Sequence, residues 1–433
     1  MNLDLFPLSA AINSSGFLEI AGHDLSCLVK NYGTPLYLYD AVTVDHQIDN
    51  LRTLLRKFYP GSSNICYAGK AYLSLGMARH LASIDIGLDT SSLGEMKIGL
   101  KAGFTPSQIH LHGNNKTEEE LRFAIQNNIH SIVVDNLDEL VLLETLAEEM
   151  QTRVRIWLRI NPEINVDTHS FVKTAHKGSK FGLLISNGQA SKAIKESINS
   201  PWIELTGLHT HLGSQLFDPL PFHNAIKILL DLAQEQSMIP LEICPGGGWG
   251  VPYIESMPTD DPMPWIETIC STLSEECKRR NIPLPRLIIE PGRWIIARAG
   301  VAIYTIGTKK PSTDGRVLIS IDGGMADNPR PTIYQSQYSA SVVNQNNIQP
   351  VHWTTVVGKY CESGDVLIPE ILLPEVKRGD LLAIPVSGAY QLSMASNYNL
   401  AARPAVIRLE QGHYEVLQPR DDPTESRWWT FEG

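Results

Sequence analysis

Residues 154–160 read VRIWLRI, and the pattern of this stretch determines how the rest of the chain is interpreted. Apolar side chains occupy every second position, while two arginines and a tryptophan fill the positions between them, which is the period of a β-strand. The preceding residues 137–150 carry apolar side chains at helical spacing, and Asn136 followed by Glu139 predicts an N-terminal cap for that helix. A helix that leads directly into a strand is half of a repeating β/α unit.

The same alternation of short β-type runs and longer helical runs extends from about residue 64 to residue 310. The strands are predicted at 64–70, 84–89, 108–112, 131–135, 154–160, 204–211, 241–245 and 286–290. Strands separated by helices pair in parallel, and eight of them favour closure into a ring. The sequence therefore predicts an α/β fold, with a TIM-like (β/α)8 barrel over residues 41–310.

The two ends of the chain differ, because they carry strand-like runs separated by turn residues and little helical periodicity. Examples are PLYLY at 35–39, VLISI at 317–321 and AVIRLEQGHYEVL at 405–417. This pattern predicts a second, all-β domain, a β-barrel or sandwich, assembled from residues 1–40 and 311–433. The polar C-terminal segment RDDPTESRWWTFEG has no assigned role.

The composition argues against several classes of protein. A formal net charge of −11, from 36 basic and 47 acidic residues without a basic cluster, argues against a nucleic-acid partner. No apolar run reaches the roughly eighteen residues of a membrane span, and the N-terminus does not resemble a secretory signal. The six cysteines show neither paired nor zinc-type spacing. We therefore expect a cytoplasmic protein without a membrane association or a bound metal.

Polar clusters recur where each predicted strand ends. In a barrel of parallel strands these ends share one rim, and catalytic groups of such barrels lie on that rim. In strand order the clusters are 67–71, 89–95, 112–116, Asp135, 159–162, 209–215, 245–250 and 290–293. Because chance would scatter such residues over both rims, the sequence predicts that this rim is functional.

Some of these residues suit a cofactor that carries a phosphate. The triple glycine at 246–248 lets backbone N–H groups approach a phosphate, although an ordinary tight turn explains such a run equally well. Gly292 and Arg293 offer a second turn with a permanent cation, and Ser214 offers a hydroxyl. Together the three groups could hold one phosphate from different strands.

Other positions on the rim carry reactive groups. Lys70 ends a mostly apolar strand, where a neutral amine could bond to an aldehyde, or it could simply extend to solvent. Glu290 follows three apolar residues, so its carboxylate needs a cation, either a protonated pyridine nitrogen or Arg293. His209 and His211 could bind a metal, but no third ligand stands at a recognisable spacing, and His211 fits better as a ring stacked on a cofactor.

These residues, taken in order, resemble one known family. The motifs YAGKA, DTSSLGE, HGNNK, HTHLGSQ, PGGGWGVPY, EPGR, DGGMADNPRPTIY, YCESGD and GAYQLSMASNYN are similar to those of the fold-type III pyridoxal-5′-phosphate (PLP) decarboxylases. The resemblance covers nearly the whole chain, from about residue 34 to residue 405. This family contains the diaminopimelate, ornithine and arginine decarboxylases, and the similarity is greatest to the diaminopimelate enzymes. It implies PLP as the cofactor, bound by the barrel.

The resemblance also implies a role for each matching position. Lys70 would hold PLP covalently, Glu290 would pair with the ring nitrogen, and His211 would stack on the ring. The other cofactor-binding positions would be Asp89, Arg159, Ser214, Gly246, Gly247, Gly248, Gly292, Arg293 and Tyr390. The substrate-binding positions would be Arg293, Arg330, Tyr334, Glu362, Ser363 and Tyr390. Cys361 would be the second catalytic residue, and residues 361–363 would come from the partner subunit of a homodimer.

The implied reaction is decarboxylation of meso-2,6-diaminopimelate to L-lysine and carbon dioxide. Arg330 could bind the carboxylate and Glu362 the ammonium at the far end of this substrate, whereas an ornithine-type substrate would leave Arg330 without a partner. Three alternatives stay open. They are a decarboxylase of the same family acting on carboxynorspermidine, arginine or another amino acid, a racemase on the same barrel, and a non-catalytic regulator.

Overall fold

The protein is described by a computed structural model over residues 3–164, 179–344 and 349–430. Contacts between residues divide the chain into two compact units. The barrel unit comprises residues 48–250 and 260–294, and the sheet unit comprises residues 1–47, 251–259 and 295–433. The boundary predicted at 40/41 differs from this division, which falls between residues 47 and 48. The boundary predicted at 310/311 also differs, because the strand Gly300–Pro311 pairs within the sheet unit. Its apolar pattern resembles that of a barrel strand, which explains the difference.

Eight parallel strands close into a barrel, as predicted. They are Ser63–Ala68, Gly87–Thr90, Ile109–Leu111, Ser131–Val134, Val154–Asn161, Ile203–His209, Glu242–Cys244 and Arg286–Ile289. Each strand pairs with the next one in the chain. The eighth pairs with the first, which closes the ring. A two-residue strand, Leu183–Leu184, pairs alongside the end of the fifth strand.

Helices connect successive barrel strands. They are Leu75–Ser83, Leu93–Ala102, Glu118–Gln126, Leu137–Glu149, Gln189–Asn199, Leu220–Glu235 and Met263–Arg280. The helices Ala41–Phe58 and Arg293–Ile296 each span a division between the two units. The helix predicted at 137–150 is confirmed, and the Asn136 side chain accepts a hydrogen bond from the backbone N–H of Glu139 at 2.9 Å.

The fifth barrel strand is buried on both faces. Its alternate side chains Trp157 and Arg159 are as inaccessible as the apolar ones, and only Arg155 is exposed. Trp157 packs in a buried cluster with side chains from the first, fourth, seventh and eighth strands. Trp157 and Arg159 therefore face the filled interior of the barrel, as is usual when eight strands close around their own side chains.

The sheet unit is built from both ends of the chain. Its large sheet consists of Leu36–Asp40, Gly300–Pro311, Val317–Ile321, Ser341–Val342, His352–Val357, Val366–Leu373, Leu381–Ile384, Ala405–Glu410 and His413–Gln418. Leu36–Asp40 lies between Gly300–Pro311 and Ala405–Glu410, so the N-terminal segment completes the sheet. The second, all-β domain is thus confirmed.

Smaller elements complete the sheet unit. A separate three-stranded sheet contains Ala10–Ile12, Leu18–Ile20 and His23–Asp24, and the helices are Leu25–Tyr32, Arg330–Tyr334 and Arg427–Thr430. Leu25 and Leu28 of the first helix pack against Leu36 and Ile303 of the large sheet in one apolar core. Within the three described ranges of the chain, no helix has the length and apolar character that a membrane crossing needs.

Candidate active site

Lys70 lies directly after the first barrel strand. The strand ends at Ala68, two residues earlier than predicted, and Lys70 sits in a single 3-10 turn, Gly69–Ala71. The side chain is exposed, which corresponds to the second of the two positions that the sequence left open. Burial lowers the pKa of His211 well below its ordinary value, and the positive charge of Lys70 lowers it further. The amine of Lys70 and the His211 ring therefore belong to the same rim.

Glu290 follows the eighth strand and is buried between two histidines. Its Oε2 lies 2.9 Å from His209 Nε2 and its Oε1 lies 3.1 Å from His112 Nε2. Burial by itself would raise the pKa of Glu290, but the nearby charges of His209 and His112 lower it well below its ordinary value. Oε1 is buried and has no well-aligned hydrogen bond from any described residue. An ionised carboxylate with one oxygen that accepts no well-aligned hydrogen bond is suited to accept one from a protonated ring nitrogen.

Two further acid–base pairs continue around the rim. His112 Nε2 lies 3.5 Å from Asp89 Oδ1, and Arg159 Nε lies 3.8 Å from Asp135 Oδ1. Burial raises the pKa of Asp89 to about 6, although the charge of His112 opposes this shift. Burial also lowers the pKa of Arg159, partly offset by Asp135. The structure thus brings Asp89 and Arg159, both predicted cofactor positions, into one electrostatically linked rim.

The neighbours of His209 differ from those expected. Potential ligand atoms of His112, His209 and Glu290 all lie within 4.8 Å of one another, so His209 does have two further groups of the kinds that bind metals. Spacing along the sequence could not reveal them because they come from the third, sixth and eighth strands. The direct hydrogen-bond distance between His209 and Glu290 favours a role in which the histidines orient the carboxylate.

The triple glycine after the seventh strand forms a loop in which no side chain fits. Gly246 and Gly248 have positive φ values of 79° and 93°. A Cβ atom on Gly247 would lie 2.1 Å from the carbonyl oxygen of Glu290, and one on Gly248 would lie 1.9 Å from that of Gly213. The backbone of this loop therefore passes very close to its neighbours, as expected for a phosphate-binding turn.

Two other predicted phosphate-binding groups contact each other. Arg293 Nη2 donates a hydrogen bond to Ser214 Oγ at 3.0 Å, which joins the loops after the eighth and sixth strands. A Cβ atom on Gly292 would lie 2.9 Å from that of Ala68 at the end of the first strand. The glycine loop, the paired Ser214 and Arg293, and the unused oxygen of Glu290 fit the phosphate and the ring nitrogen of PLP.

In the sheet unit, Arg330 is a buried cation at the start of the helix Arg330–Tyr334. Its Nε donates to Tyr338 Oη at 3.0 Å and its Nη2 donates to Ser336 Oγ at 3.2 Å. The rings of Tyr253, Tyr334 and Tyr390 lie with their centroids 5.5, 5.7 and 5.8 Å from its Cζ. Within the described ranges no carboxylate lies within 4 Å of its guanidinium. The predicted substrate residues Arg330, Tyr334 and Tyr390 are thus together.

The predicted segment at 361–363 lies in the loop between the strands His352–Val357 and Val366–Leu373. Cys361, Glu362 and Ser363 are all exposed, and the hydroxyl of Tyr398 donates a hydrogen bond to Glu362 Oε1. Tyr390 adopts a positive φ of 62°, which is unusual for a residue with a side chain and is often found at functional sites. Its backbone strain is consistent with a fixed orientation of its ring beside Arg330.

Several contacting residues were not assigned a role from the sequence. His112 opens the predicted cluster at 112–116, so its position at a strand end was an available signal. Tyr253 contacts Arg330 from a distant part of the sequence, and Tyr338 contacts it from eight residues further along, and no motif or spacing indicates either contact. Only the folded sheet unit brings these two tyrosines into contact with Arg330.

Comparisons with known proteins agree with this geometry. A family model described as "Pyridoxal-dependent decarboxylase, pyridoxal binding domain" matches residues 44–297. A diaminopimelate decarboxylase of Bacillus subtilis is 38% identical over 94% of this chain and 94% of its own length. The crystal structure of diaminopimelate decarboxylase from M. jannaschii in complex with L-lysine has a TM-score of 0.92 at 29% identity, covering 98% of both chains. The Helicobacter pylori enzyme with L-lysine has a TM-score of 0.85 at 31% identity, covering 93% of this chain and 98% of its own.

Proposed function

This chain belongs to the pyridoxal-dependent decarboxylases and, within them, to the diaminopimelate decarboxylase family, and from this we propose the reaction that it catalyses. The substrate is meso-2,6-diaminopimelate, one carboxyl group leaves as carbon dioxide, and a proton takes its place to give L-lysine. The chain is thus a PLP-dependent carboxy-lyase. A decarboxylase for another amino acid, such as carboxynorspermidine, arginine or ornithine, is the alternative.

The burial of Arg330 with no acidic partner among the residues that the structure describes is the observation that carries this proposal. A buried guanidinium stays charged, and a buried charge that lacks a counter-ion is strongly unfavourable. The surrounding groups are tyrosines and a serine, which offer hydroxyls and ring faces but no negative charge. A substrate with a carboxylate at its far end supplies that charge, whereas ornithine has only an ammonium there.

PLP, when bound, withdraws electrons from the bond between Cα and the carboxylate, so that carbon dioxide can leave. Lys70 would hold the cofactor at the rim, and the ionised carboxylate of Glu290 would keep a proton on its ring nitrogen. His209 and His112 fix the orientation of that carboxylate. Ser214, Arg293 and the backbone of the loop at 246–248 would bind the phosphate, and His211 would stack on the ring.

The far end of the substrate is bound by a second group of residues. We assign its carboxylate to Arg330, Arg293 and Tyr334, and its ammonium to Glu362. By the family resemblance, Tyr390 would contact both substrate and cofactor, and Ser363 would complete the substrate pocket. The family resemblance assigns residues 361–363 to the partner subunit, and their exposure in the single chain supports a homodimer with shared active sites.

We also propose a cytoplasmic location. All six cysteines are free thiols, two of them exposed, which is typical of a reducing compartment. The substrate and cofactor of the proposed reaction are small molecules. The acidic net charge of −11 supports the absence of a nucleic-acid partner.

The direct test supplies purified protein with PLP and each candidate amino acid. We expect one carbon dioxide and one L-lysine for each meso-diaminopimelate consumed, with kcat/KM for ornithine or arginine lower by at least about a hundredfold, because neither offers a far carboxylate to Arg330. Gas release and amino-acid analysis provide the measurement. Rapid release of carbon dioxide from ornithine would favour the alternative, and interconversion of stereoisomers without gas release would indicate a racemase.

Cys361 is the proposed proton donor to Cα, because a thiol can donate a proton near neutral pH. Replacing Cys361 with Ala should lower kcat by about a hundredfold while leaving cofactor binding intact. Cys27, also an exposed thiol, provides the matched control in Cys27→Ala, which should retain full activity. Stopped-flow release of carbon dioxide and of L-lysine measures the two halves of the reaction. Full turnover by Cys361→Ala would remove this assignment.

A further inference from the structure

Arg330 is attached to the fold through hydrogen bonds along one side of its guanidinium. Tyr338 accepts from Nε, and Ser336 accepts from Nη2, at 3.0 and 3.2 Å. Both partners follow Arg330 within eight residues, after the chain leaves its short helix through Gln335, which has a positive φ of 54°. The turn at Gln335 brings the chain back, so that the Tyr338 hydroxyl meets the arginine.

Tyr338 is itself fixed by Gln391. Burial raises the pKa of Tyr338, whereas the charge of Arg330 and a side-chain hydrogen bond from Gln391 to the Tyr338 hydroxyl lower it. The same amide group donates to Ser387 Oγ at 3.2 Å. Tyr338, Gln391 and Ser387 are all buried, so no solvent competes for these hydrogen bonds. The Gln391 amide therefore orients the Tyr338 hydroxyl, which in turn accepts a hydrogen bond from Arg330.

The Gln391 amide is fixed in turn from its other end. Its Oε1 accepts a hydrogen bond from Tyr37 Oη at 2.8 Å, which determines which end of the amide faces Tyr338. Tyr37 also lies 3.2 Å from Asp327 Oδ2, and the backbone N–H of Gly324 donates to Asp327 Oδ1 at 2.9 Å. Tyr37 comes from the N-terminal strand Leu36–Asp40, and Asp327 precedes Arg330 by three residues. A buried network therefore connects Asp327 to Arg330 through side chains from three segments of the chain.

We propose that Tyr338 and Gln391 are positioning residues, anchored through Tyr37 on Asp327, that hold the Arg330 guanidinium ready for the far carboxylate of the substrate. This inference rests on the proposed function, because Arg330 must be the group that recognises this carboxylate. Neither Tyr338 nor Gln391 needs to touch the substrate. Their effect is on binding and selectivity rather than on the chemical step.

The physical reason is the flexibility of arginine. An unrestrained arginine side chain samples many rotamers, and a ligand that binds it must first order them. Hydrogen bonds to Nε and Nη2 order the side chain before the substrate arrives and fix the plane in which its fork can bind a carboxylate. Loss of the Tyr338 hydroxyl would free the guanidinium and also leave Gln391 with an unmatched donor.

The test is Tyr338→Phe, which removes one oxygen and keeps the ring. In the cofactor-loaded enzyme, KM for meso-diaminopimelate should rise by about tenfold, while kcat stays within about twofold. The affinity for L-lysine, which carries a carboxylate, should fall by the same factor, whereas that for cadaverine, which carries none, should not change. Tyr414→Phe in the same unit is the matched control, because Tyr414 packs near His23 and Tyr32 and takes no part in the network.

Gln391→Leu provides a second, independent variant with a similar side-chain size. It leaves the Tyr338 hydroxyl in place but removes its anchor, so the same selective loss of L-lysine affinity is expected. Thermal unfolding of each variant distinguishes a loss of selectivity from a loss of fold.

Two results would overturn the inference. One is an unchanged L-lysine affinity in folded Tyr338→Phe, and the other is an equal loss for L-lysine and cadaverine. Wild-type enzyme is measured first with meso-diaminopimelate. If it releases no carbon dioxide, the proposed function fails, and that outcome is recognised before any variant is compared.

Discussion

Replacing Lys70 with Ala should abolish turnover and covalent attachment of the cofactor together. The amine at position 70 is the only group assigned a covalent role, and alanine cannot replace it. We expect kcat to fall by at least about a thousandfold. Because Lys70 is exposed on a single 3-10 turn, its truncation leaves no buried cavity and the fold should persist.

The measurement has a readout besides activity. Wild-type protein with PLP should show a visible absorbance band, and borohydride should then attach the cofactor irreversibly to the peptide that contains Lys70. The matched control is Lys101→Ala, an exposed lysine on the helix Leu93–Ala102 of the same unit, which should behave as wild type. Labelling of a different lysine, or normal turnover by Lys70→Ala, would contradict the assignment of Lys70 as the residue that binds the cofactor covalently.

Replacing Arg330 with Met should give the second largest effect, through substrate recognition. The variant keeps a long side chain in the buried position but loses the only positive charge assigned to the far carboxylate in the sheet unit. Truncating one partner of a buried charge pair weakens binding severely, so kcat/KM for meso-diaminopimelate should fall by at least about a hundredfold. Steady-state kinetics and the affinity for L-lysine measure the loss.

Arg330→Lys separates charge from geometry. It keeps the cation but not the planar fork, and it should recover only part of the loss. Arg408→Met is the matched control, because Arg408 is another partly buried arginine of the sheet unit that pairs with Glu410 and Glu415. If Arg330→Met decarboxylated meso-diaminopimelate normally, the far carboxylate would have to be bound elsewhere, and the argument for the substrate would fail.

The barrel could be predicted from sequence because its signals are local. Each strand carries its own alternation or apolar run, and each is followed by polar residues that the parallel arrangement collects on one rim. Glu290 illustrates this, since three apolar residues before it already indicated a buried carboxylate. Lys70 illustrates the limit, because the turn that ends the strand at Ala68 depends on the close approach of Gly69 to the second strand.

The partners of these residues could not be predicted because they depend on distances across the fold. His112 and His209 are nearly a hundred positions apart, and only closure of the ring brings both to Glu290. Likewise, Tyr253 reaches Arg330 because residues 251–259 leave the barrel unit and join the sheet unit. No periodicity in the sequence indicates that residues 251–259 belong to the sheet unit.

The central position of Leu36–Asp40 in the large sheet has a consequence for synthesis on the ribosome. This strand emerges among the first, yet its parallel neighbour Ala405–Glu410 emerges almost last. Until then one edge of the strand offers unpaired backbone groups that can capture other chains. A product that terminated before residue 405 would contain all eight barrel strands and would still be prone to aggregate. A nonsense mutation late in the gene should therefore be as damaging as an early one.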